Sequence, residues 1–242
     1  MEFLENIAEY YDELFPVSPD QKKFFAEESA AFVKPVKYLR IGCGTGFFEH
    51  QLSTEGADVT GIETIPPLLE SANRRRRTQL MSIRFFQMSS LEMSRFLGRG
   101  FYNIISILND RLILTHDEVL MKKFFFDCRN LLSDGGKLIF SIPNFEDSAG
   151  KSRISLPSRG SIRVRLDSEI VSRDGKWFLA QSIETGNGRI YPVSVDVPVM
   201  IITRAEILEL ARGAGFGTIE FFADFARRPL SSESPSVVAV LS

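Results

Sequence analysis

Lys37-Tyr38-Leu39-Arg40-Ile41-Gly42-Cys43-Gly44-Thr45-Gly46 decides the fold. The first five residues read as a short strand, the glycines at 42, 44 and 46 as a tight turn, and the residues from Phe47 as a helix that stops at Gly56. With no Cβ at these glycines the backbone can come close to a bound ligand, at a helix N-terminus whose free N–H groups favour an electronegative group. A nucleotide-type ligand is implied. Glu63 lies 21 residues after Gly42, at the end of the next strand-like run, where a carboxylate can accept hydrogen bonds from two ribose hydroxyls. The dinucleotide pattern G-x-G-x-x-G fails because its third glycine would fall at Phe47, which argues against nicotinamide and flavin cofactors.

Outward from this turn the same unit repeats. Upstream, residues 2–15 and 20–33 have the period of acidic amphipathic helices, with Phe3, Leu4, Ile7, Tyr10, Tyr11 and Leu14 on one face of the first. Downstream, Pro66-Pro67 suits the first turn of a helix, and residues 83–87 and 102–108 are strand-like. Thr115-His116-Asp117-Glu118 reads as a capping box, opening a helix with Leu120, Phe124, Phe125, Cys128, Leu131 and Leu132 on its apolar face. Asp134-Gly135-Gly136 then turns the chain into a fifth strand at 137–142. Repeated β-α units require a mostly parallel sheet. From about 150 to 200 the helical period gives way to alternation, Ile162, Val164 and Leu166 against Arg163 and Arg165, followed by strand-like runs at 177–183 and 190–197. This reads as an antiparallel β insertion. Thr203-Arg204-Ala205-Glu206 caps a last helix ending at Gly213, before strands at 218–222 and 236–241. We expect a single α/β domain over residues 1–242, with an N-terminal helical cap at 1–34 and a β insertion or lid at about 147–200.

The chain has 242 residues, 44% of them hydrophobic and 25% charged, a composition that excludes disordered, collagenous and coiled-coil proteins. Its net charge of −2 provides no global field toward nucleic acid or an anionic membrane, so either partner would need a local patch. The one basic run, Arg74-Arg75-Arg76-Arg77, reads as a solvated helix end. Apolar stretches fall well short of the roughly 18 residues of a membrane span. The acidic start, Met1-Glu2-Phe3-Leu4-Glu5-Asn6, lacks a basic n-region and apolar h-region, and we expect a cytoplasmic protein. Two cysteines and two histidines offer neither a disulfide framework nor metal-ligand spacing, so no metal is expected.

These motifs together resemble the class I S-adenosylmethionine-dependent methyltransferases, whose first motif corresponds to Tyr38 through Gly46 here. Glu63 matches the family's ribose-binding acid, and Phe101-Tyr102-Asn103-Ile104-Ile105 its fourth strand. Leu132-Ser133-Asp134-Gly135-Gly136-Lys137-Leu138-Ile139 matches the turn into strand five, and Ala214-Gly215-Phe216 the end of the last helix. The resemblance covers most of the chain. It implies a doubly wound, seven-stranded Rossmann-like sheet of order 3-2-1-4-5-7-6 with strand 7 antiparallel. It also implies S-adenosyl-L-methionine as cofactor and a small-molecule methyl acceptor with a nitrogen or oxygen nucleophile. The implied cofactor contacts are Gly42, Cys43, Gly44, Thr45, Gly46, Glu63 and Leu108, with Ser89 and Ser90 where the family carries an acid for the adenine amino group. Arg40 stands where the family has an acid near the methionine ammonium, which it would repel unless it is turned to the methionine carboxylate. Tyr10 and Tyr11, in Glu9-Tyr10-Tyr11-Asp12-Glu13-Leu14-Phe15, resemble a segment that closes over the cofactor in small-molecule members; helical core packing is the alternative.

In a methyl displacement the protein mainly aligns the nucleophile and sometimes removes its proton. By resemblance the acceptor lies beyond strands four and five, near Asn109, Asp110 and His116. The candidates for a role in the chemistry are Asn109, His116 and Tyr11, although His116 also fits as an exposed first-turn residue. Residues 151–200 carry a local charge of +3. An anionic acceptor follows if Arg163 and Arg165, which share a strand face, point to the cleft rather than to solvent. Cys43 and Cys128 read as buried thiols, and Trp177 and the phenylalanines at 124–126 as core. Two rivals stand beside this reading. One is a noncatalytic protein keeping the fold for ligand or partner binding, motivated by Arg40 and Ser89. The other is an RNA methyltransferase, against which Leu108-Asn109-Asp110-Arg111 shows no Asn-Pro-Pro-Tyr-like or Pro-Cys motif.

Overall fold

The computed structural model describes residues 4–75 and 82–242, with side chains from Asn6 onward. Phe3, Leu4, Arg76 and Arg77 therefore lie outside the described side chains. The chain opens with a 3-10 turn (Leu4–Ile7), a single helical turn α1 (Tyr11–Leu14) and helix α2 (Pro19–Ser29), capped by Ser18, whose hydroxyl accepts from Gln21. The β-α units are β1 (Lys37–Ile41), α3 (Phe47–Thr54), β2 (Asp58–Glu63), α4 (Pro66–Arg75), β3 (Ile83–Gln87), α5 (Met93–Phe96) and β4 (Tyr102–Ile107). A 3-10 turn (Arg111–Leu114), α6 (Glu118–Leu131) and β5 (Leu132–Pro143) follow. Four strands then intervene, β6 (Arg153–Gly160), β7 (Val164–Arg173), β8 (Lys176–Thr185) and β9 (Ile190–Val199), before α7 (Arg204–Gly213), β10 (Ile219–Phe222) and β11 (Ser236–Leu241).

The main sheet has the order β10-β11-β5-β4-β1-β2-β3, parallel except where β11 runs against both β5 and β10. Numbered without the inserted strands, this is the expected 3-2-1-4-5-7-6. Strands β1 and β2 are buried on both faces, and their buried positions include Arg40, Thr60 and Glu63 as well as apolar residues. On one face Leu39, Ile105 and Phe140 meet Phe125, Cys128 and Ile207 of α6 and α7. On the other, Val59, Ile104 and Val238 meet Phe24, Phe25 and Phe48 of α2 and α3. The insertion forms its own antiparallel sheet, β6-β7-β8-β9. Its buried side chains Val164, Leu166, Ile183 and Val193 close over Ile7, Tyr11 and Leu14. The N-terminal segment is thus a strap held between the two sheets.

Several local expectations need correction. Residues 2–15 do not form one helix; within the described residues they are two short turns, because the apolar face is spent on the inserted sheet rather than on a continuous helix seat. The capping box at Thr115 is not made: Asp117 is the N-cap, its carboxylate accepting from the Leu120 N–H, and the helix begins two residues beyond His116. The insertion has one strand more than expected, β6. Ile162 is 99% exposed in the turn before β7, so only Val164 and Leu166 share the buried face. Phe124 and Phe125 are core but Phe126 is exposed, and Trp177 packs half-buried against the main core. Among the described residues no helix is long and apolar enough to cross a membrane.

Candidate functional site

The turn after β1 sits where strand order reverses between β1 and β4, the position at which open α/β sheets bind ligands. Its entry is fixed by the Gly42 and Cys43 N–H groups, both donating to the Ile62 carbonyl. The three motif glycines do different jobs. Gly42 and Gly44, with φ of +66° and +59°, face side chains that line the cleft: a Cβ would meet Arg111 at 3.4 Å and the buried Tyr11 ring at 2.3 Å respectively. At Gly46 a Cβ would strike Phe85 at 2.6 Å, so that glycine serves helix–strand packing. Cys43 also points inward, its thiol pushed well up by burial, and only its backbone faces the turn.

Three cavities meet around Gly42 and Gly44. The first, about 210 Å³, lies between the ends of β1, β2 and β3 and is lined by Gly42, Glu63, Ser89, Ser90, Arg111 and His116. The second, about 50 Å³, lies between β4 and the inserted sheet, lined by Tyr11, Asn109, Asp110, Arg111, Arg159 and Gln181 among others. The third, about 30 Å³, lies beyond Gly44 and is lined by Tyr11, Asp12, Arg40, Thr45, Glu49 and Asn109 among others. Arg111 is common to the first two, and Tyr11 to the last two. These two side chains are the partitions of what is otherwise one cleft.

Glu63 is buried at the wall of the 210 Å³ cavity and is fully engaged. One carboxylate oxygen accepts from Thr64 (2.8 Å) and Ile65 (3.1 Å); the other accepts from Gly44 (2.9 Å) and lies 3.4 Å from Arg111. The long Arg111 contact is the one a ribose diol could replace. Ser89 donates its N–H to Glu92, while its hydroxyl accepts from Leu91 in a local turn. Asn109 donates to the Tyr11 hydroxyl at 3.4 Å. The strap is tied down by Asp12, which accepts from the Thr45 hydroxyl and pairs with Arg75. Arg75 is therefore a clamp rather than part of a solvated run, whereas Arg74 is exposed and pairs only along its own helix, with Glu70.

Several predicted residues fall elsewhere. His116 is exposed and lines the 210 Å³ cavity, not the one between β4 and the inserted sheet. Leu108 is buried with Ile104 and Val238 and lines none of the three cavities. Arg163 and Arg165 point outward, Arg163 to Glu9 and Glu13, Arg165 to Asp167 and Glu184. The charge of the insertion thus gives no anion site at these positions. Arg165→Gln is expected to leave stability within about 0.5 kcal/mol and acceptor kinetics unchanged; a raised acceptor KM would return Arg165 to the cleft. The arginine that does reach the cleft is Arg159 of β6, paired with Asp110. Burial pushes the Asp110 carboxyl up, and Arg159 pulls it part of the way back.

Residues 39–136 match the family of methyltransferase domains. A methyltransferase of Geobacillus sp. (strain WCH70) is 28% identical over 146 residues, 57% of this chain and 56% of that protein. The chain thus spans about half the length of the curated relatives it matches. The CcbJ methyltransferase of Streptomyces caelestis superposes with a TM-score of 0.78 at 19% identity, over 97% of this chain and 95% of that one. SAM-bound CalS10, an amino pentose methyltransferase of Micromonospora echinaspora, gives 0.67 at 17% identity, over 100% and 98%. At these identities the likeness is one of fold. The resemblance read from Gly42–Gly46 and Glu63 is borne out by the family match.

Proposed function

We propose that this chain, whose residues 39–136 are a methyltransferase domain, moves a methyl group from S-adenosylmethionine to a nitrogen or oxygen of a small molecule held under the inserted sheet. The observation that carries the reading is the 210 Å³ cavity at the strand switch point, bounded by Gly42, Glu63 and the Ser89-Ser90 turn. The volume and lining of that cavity support it as the place of the nucleoside half of the cofactor. Its amino-acid half requires the Tyr11 ring to leave Gly44. Glu63 would hold the ribose, Ser89 and Ser90 would face the adenine, and Thr45 would face the amino-acid end. The bound cofactor supplies an electrophilic methyl on a sulfonium that departs as a neutral thioether.

Acceptor chemistry falls to the residues of the smaller cavity by β4. Asn109 lines it beside the strap, Gln181, Ser168 and Ser194 form a polar wall, and the Asp110–Arg159 pair is its charged feature. As the acceptor's lone pair forms the bond to carbon, its proton passes to the Asp110 carboxylate, whose raised pKa suits proton acceptance. The rate should therefore increase as pH climbs through a value above the ordinary carboxylate range. Asp110→Asn is expected to lower kcat by roughly 10²–10⁴-fold and to remove that limb of the pH profile. A profile unchanged in Asp110→Asn would leave Asp110 only a positioning role.

Calorimetry with S-adenosylhomocysteine tests the cofactor, and turnover of radiolabelled S-adenosylmethionine against panels of small amines and alcohols tests the reaction. The failure of S-adenosylhomocysteine to bind at millimolar concentration would end the proposal. A second reading, ligand binding without chemistry, is favoured by the Tyr11 ring standing over Gly44; binding without turnover on any acceptor would select it.

A further inference from the structure

Arg40 is the anomaly of the glycine-turn strand. Its side chain is 7% exposed, and two of its nitrogens, Nε and Nη1, are buried without a hydrogen-bond partner among the described residues. Its nearest acid is Glu49, in the first turn of α3, also buried, with Oε1 at 3.4 Å from Nε. That separation is outside the 2.7–3.2 Å of an N–H···O bond, and a guanidinium evolved for a structural pair presents its fork to the carboxylate bidentately. Buried donors left unpaired are rare because each forfeits its hydration. Arg40 and Glu49 thus make one long contact and both line the same small chamber, with Nη1 left without an acceptor among the described residues.

That chamber is the 30 Å³ cavity beyond Gly44. By itself it has room for about one water. Tyr11 lines it and also covers Gly44, so withdrawal of that ring opens it along the glycine turn, past Thr45, toward the nucleoside cavity. A molecule laid along the turn from the Glu63 end would bring its far end up to Arg40 and Glu49. The charges are arranged opposite to the expectation for this strand position: the strand carries the cation, and the acid comes from the helix. An α-amino acid terminus has one carboxylate and one ammonium on the same carbon and can satisfy both groups at once.

We infer that Arg40 and Glu49 form a charge-inverted clamp for the amino-acid end of the cofactor, Arg40 receiving the carboxylate and Glu49 the ammonium. The inference rests on the S-adenosylmethionine reading above and adds how this chain, lacking the strand acid, recognises the zwitterion. It also accounts for two nitrogens of a buried arginine lacking a hydrogen-bond acceptor beside its ion pair with Glu49.

The test uses the full chain and four ligands by calorimetry: S-adenosylhomocysteine, its decarboxylated analogue, its deaminated analogue, and 5′-methylthioadenosine, which lacks both charges. Loss of the carboxylate is expected to weaken binding by roughly 10- to 100-fold, and loss of the ammonium to weaken it as well. In Arg40→Met the first two ligands should bind with about equal affinity, while 5′-methylthioadenosine binds as in the wild type, showing that the nucleoside site is intact. Should Arg40→Met fail to fold, the wild-type ligand series decides alone. Equal binding of S-adenosylhomocysteine and its decarboxylated analogue by the wild type overturns the clamp while leaving the cofactor reading in place. So does full carboxylate discrimination retained in Arg40→Met. If neither S-adenosylhomocysteine nor 5′-methylthioadenosine binds, the cofactor reading itself fails, and the clamp with it.

Discussion

A Gly44→Val protein is expected to stay folded and to lose cofactor binding. The residue has a φ of +59°, and an added Cβ would lie 2.3 Å from the Tyr11 ring and 2.7 Å from its hydroxyl. Valine there costs about 1–2 kcal/mol of left-handed backbone strain. What it displaces is the Tyr11 ring, which belongs to the smaller cluster between the strap and the inserted sheet and not to the cores that flank the main sheet. Its branched side chain then stands where the ligand must approach the turn, and affinity for S-adenosylhomocysteine should fall by roughly 100-fold or more, with the thermal midpoint lowered by several degrees. Gly61→Val is the control. A Cβ at Gly61 would meet Phe85 at 2.5 Å and the Cys43 thiol at 2.9 Å, inside the core, so that variant should lose its fold. Equal unfolding of both variants would make Gly44 a packing glycine like Gly61.

Glu63→Ala is expected to weaken cofactor binding by about 1.5–3 kcal/mol, the range of hydrogen bonds to a charged group. The same change leaves the Gly44, Thr64 and Ile65 N–H groups without their acceptor and Arg111 without its carboxylate. A fall in stability of about 1–3 kcal/mol should therefore accompany the loss of affinity. Glu63→Gln separates the two effects, since its amide oxygen can still accept from the turn but no longer carries charge. Unchanged affinity in Glu63→Ala would put the ribose elsewhere.

What could be read from the sequence was whatever depends on period and on local chemistry. Strands β1 and β2 were placed by the glycine turn and by Glu63 at the strand end, not by an apolar run, for Lys37, Arg40, Asp58, Thr60 and Glu63 lie within them. The cap at Thr203 is a complete reciprocal box, Thr203 and Glu206 each bonding the other's backbone. At Thr115 the same pattern was misleading, because Asp117 competes as cap and the chain before it is drawn under the lid, where Met200 donates to the Ile113 carbonyl. Strand β6 left little trace: it is an edge strand, mostly polar, with Pro157 inside it. Arg159 was missed with it. Alternation correctly put Arg163 and Arg165 on one face, but only the packing of Val164 and Leu166 says which face is outward. Glu49 carried no signal either, since an acid in a first helical turn is ordinarily a partner of the helix dipole. Its role depends on Arg40, which is adjacent only in three dimensions.

Tyr11 belongs to two chambers at once, and this makes their occupants thermodynamically dependent on each other. A ligand lying along Gly44 evicts the ring, and eviction removes a wall of the cavity that holds Asn109 and Asp110. On the proposed function, displacing the ring would enlarge the roughly 50 Å³ there, so cofactor would raise acceptor affinity and acceptor would raise cofactor affinity by the same factor. Kinetically that reading implies a compulsory order, cofactor before acceptor, because the tyrosine otherwise holds part of the acceptor's seat.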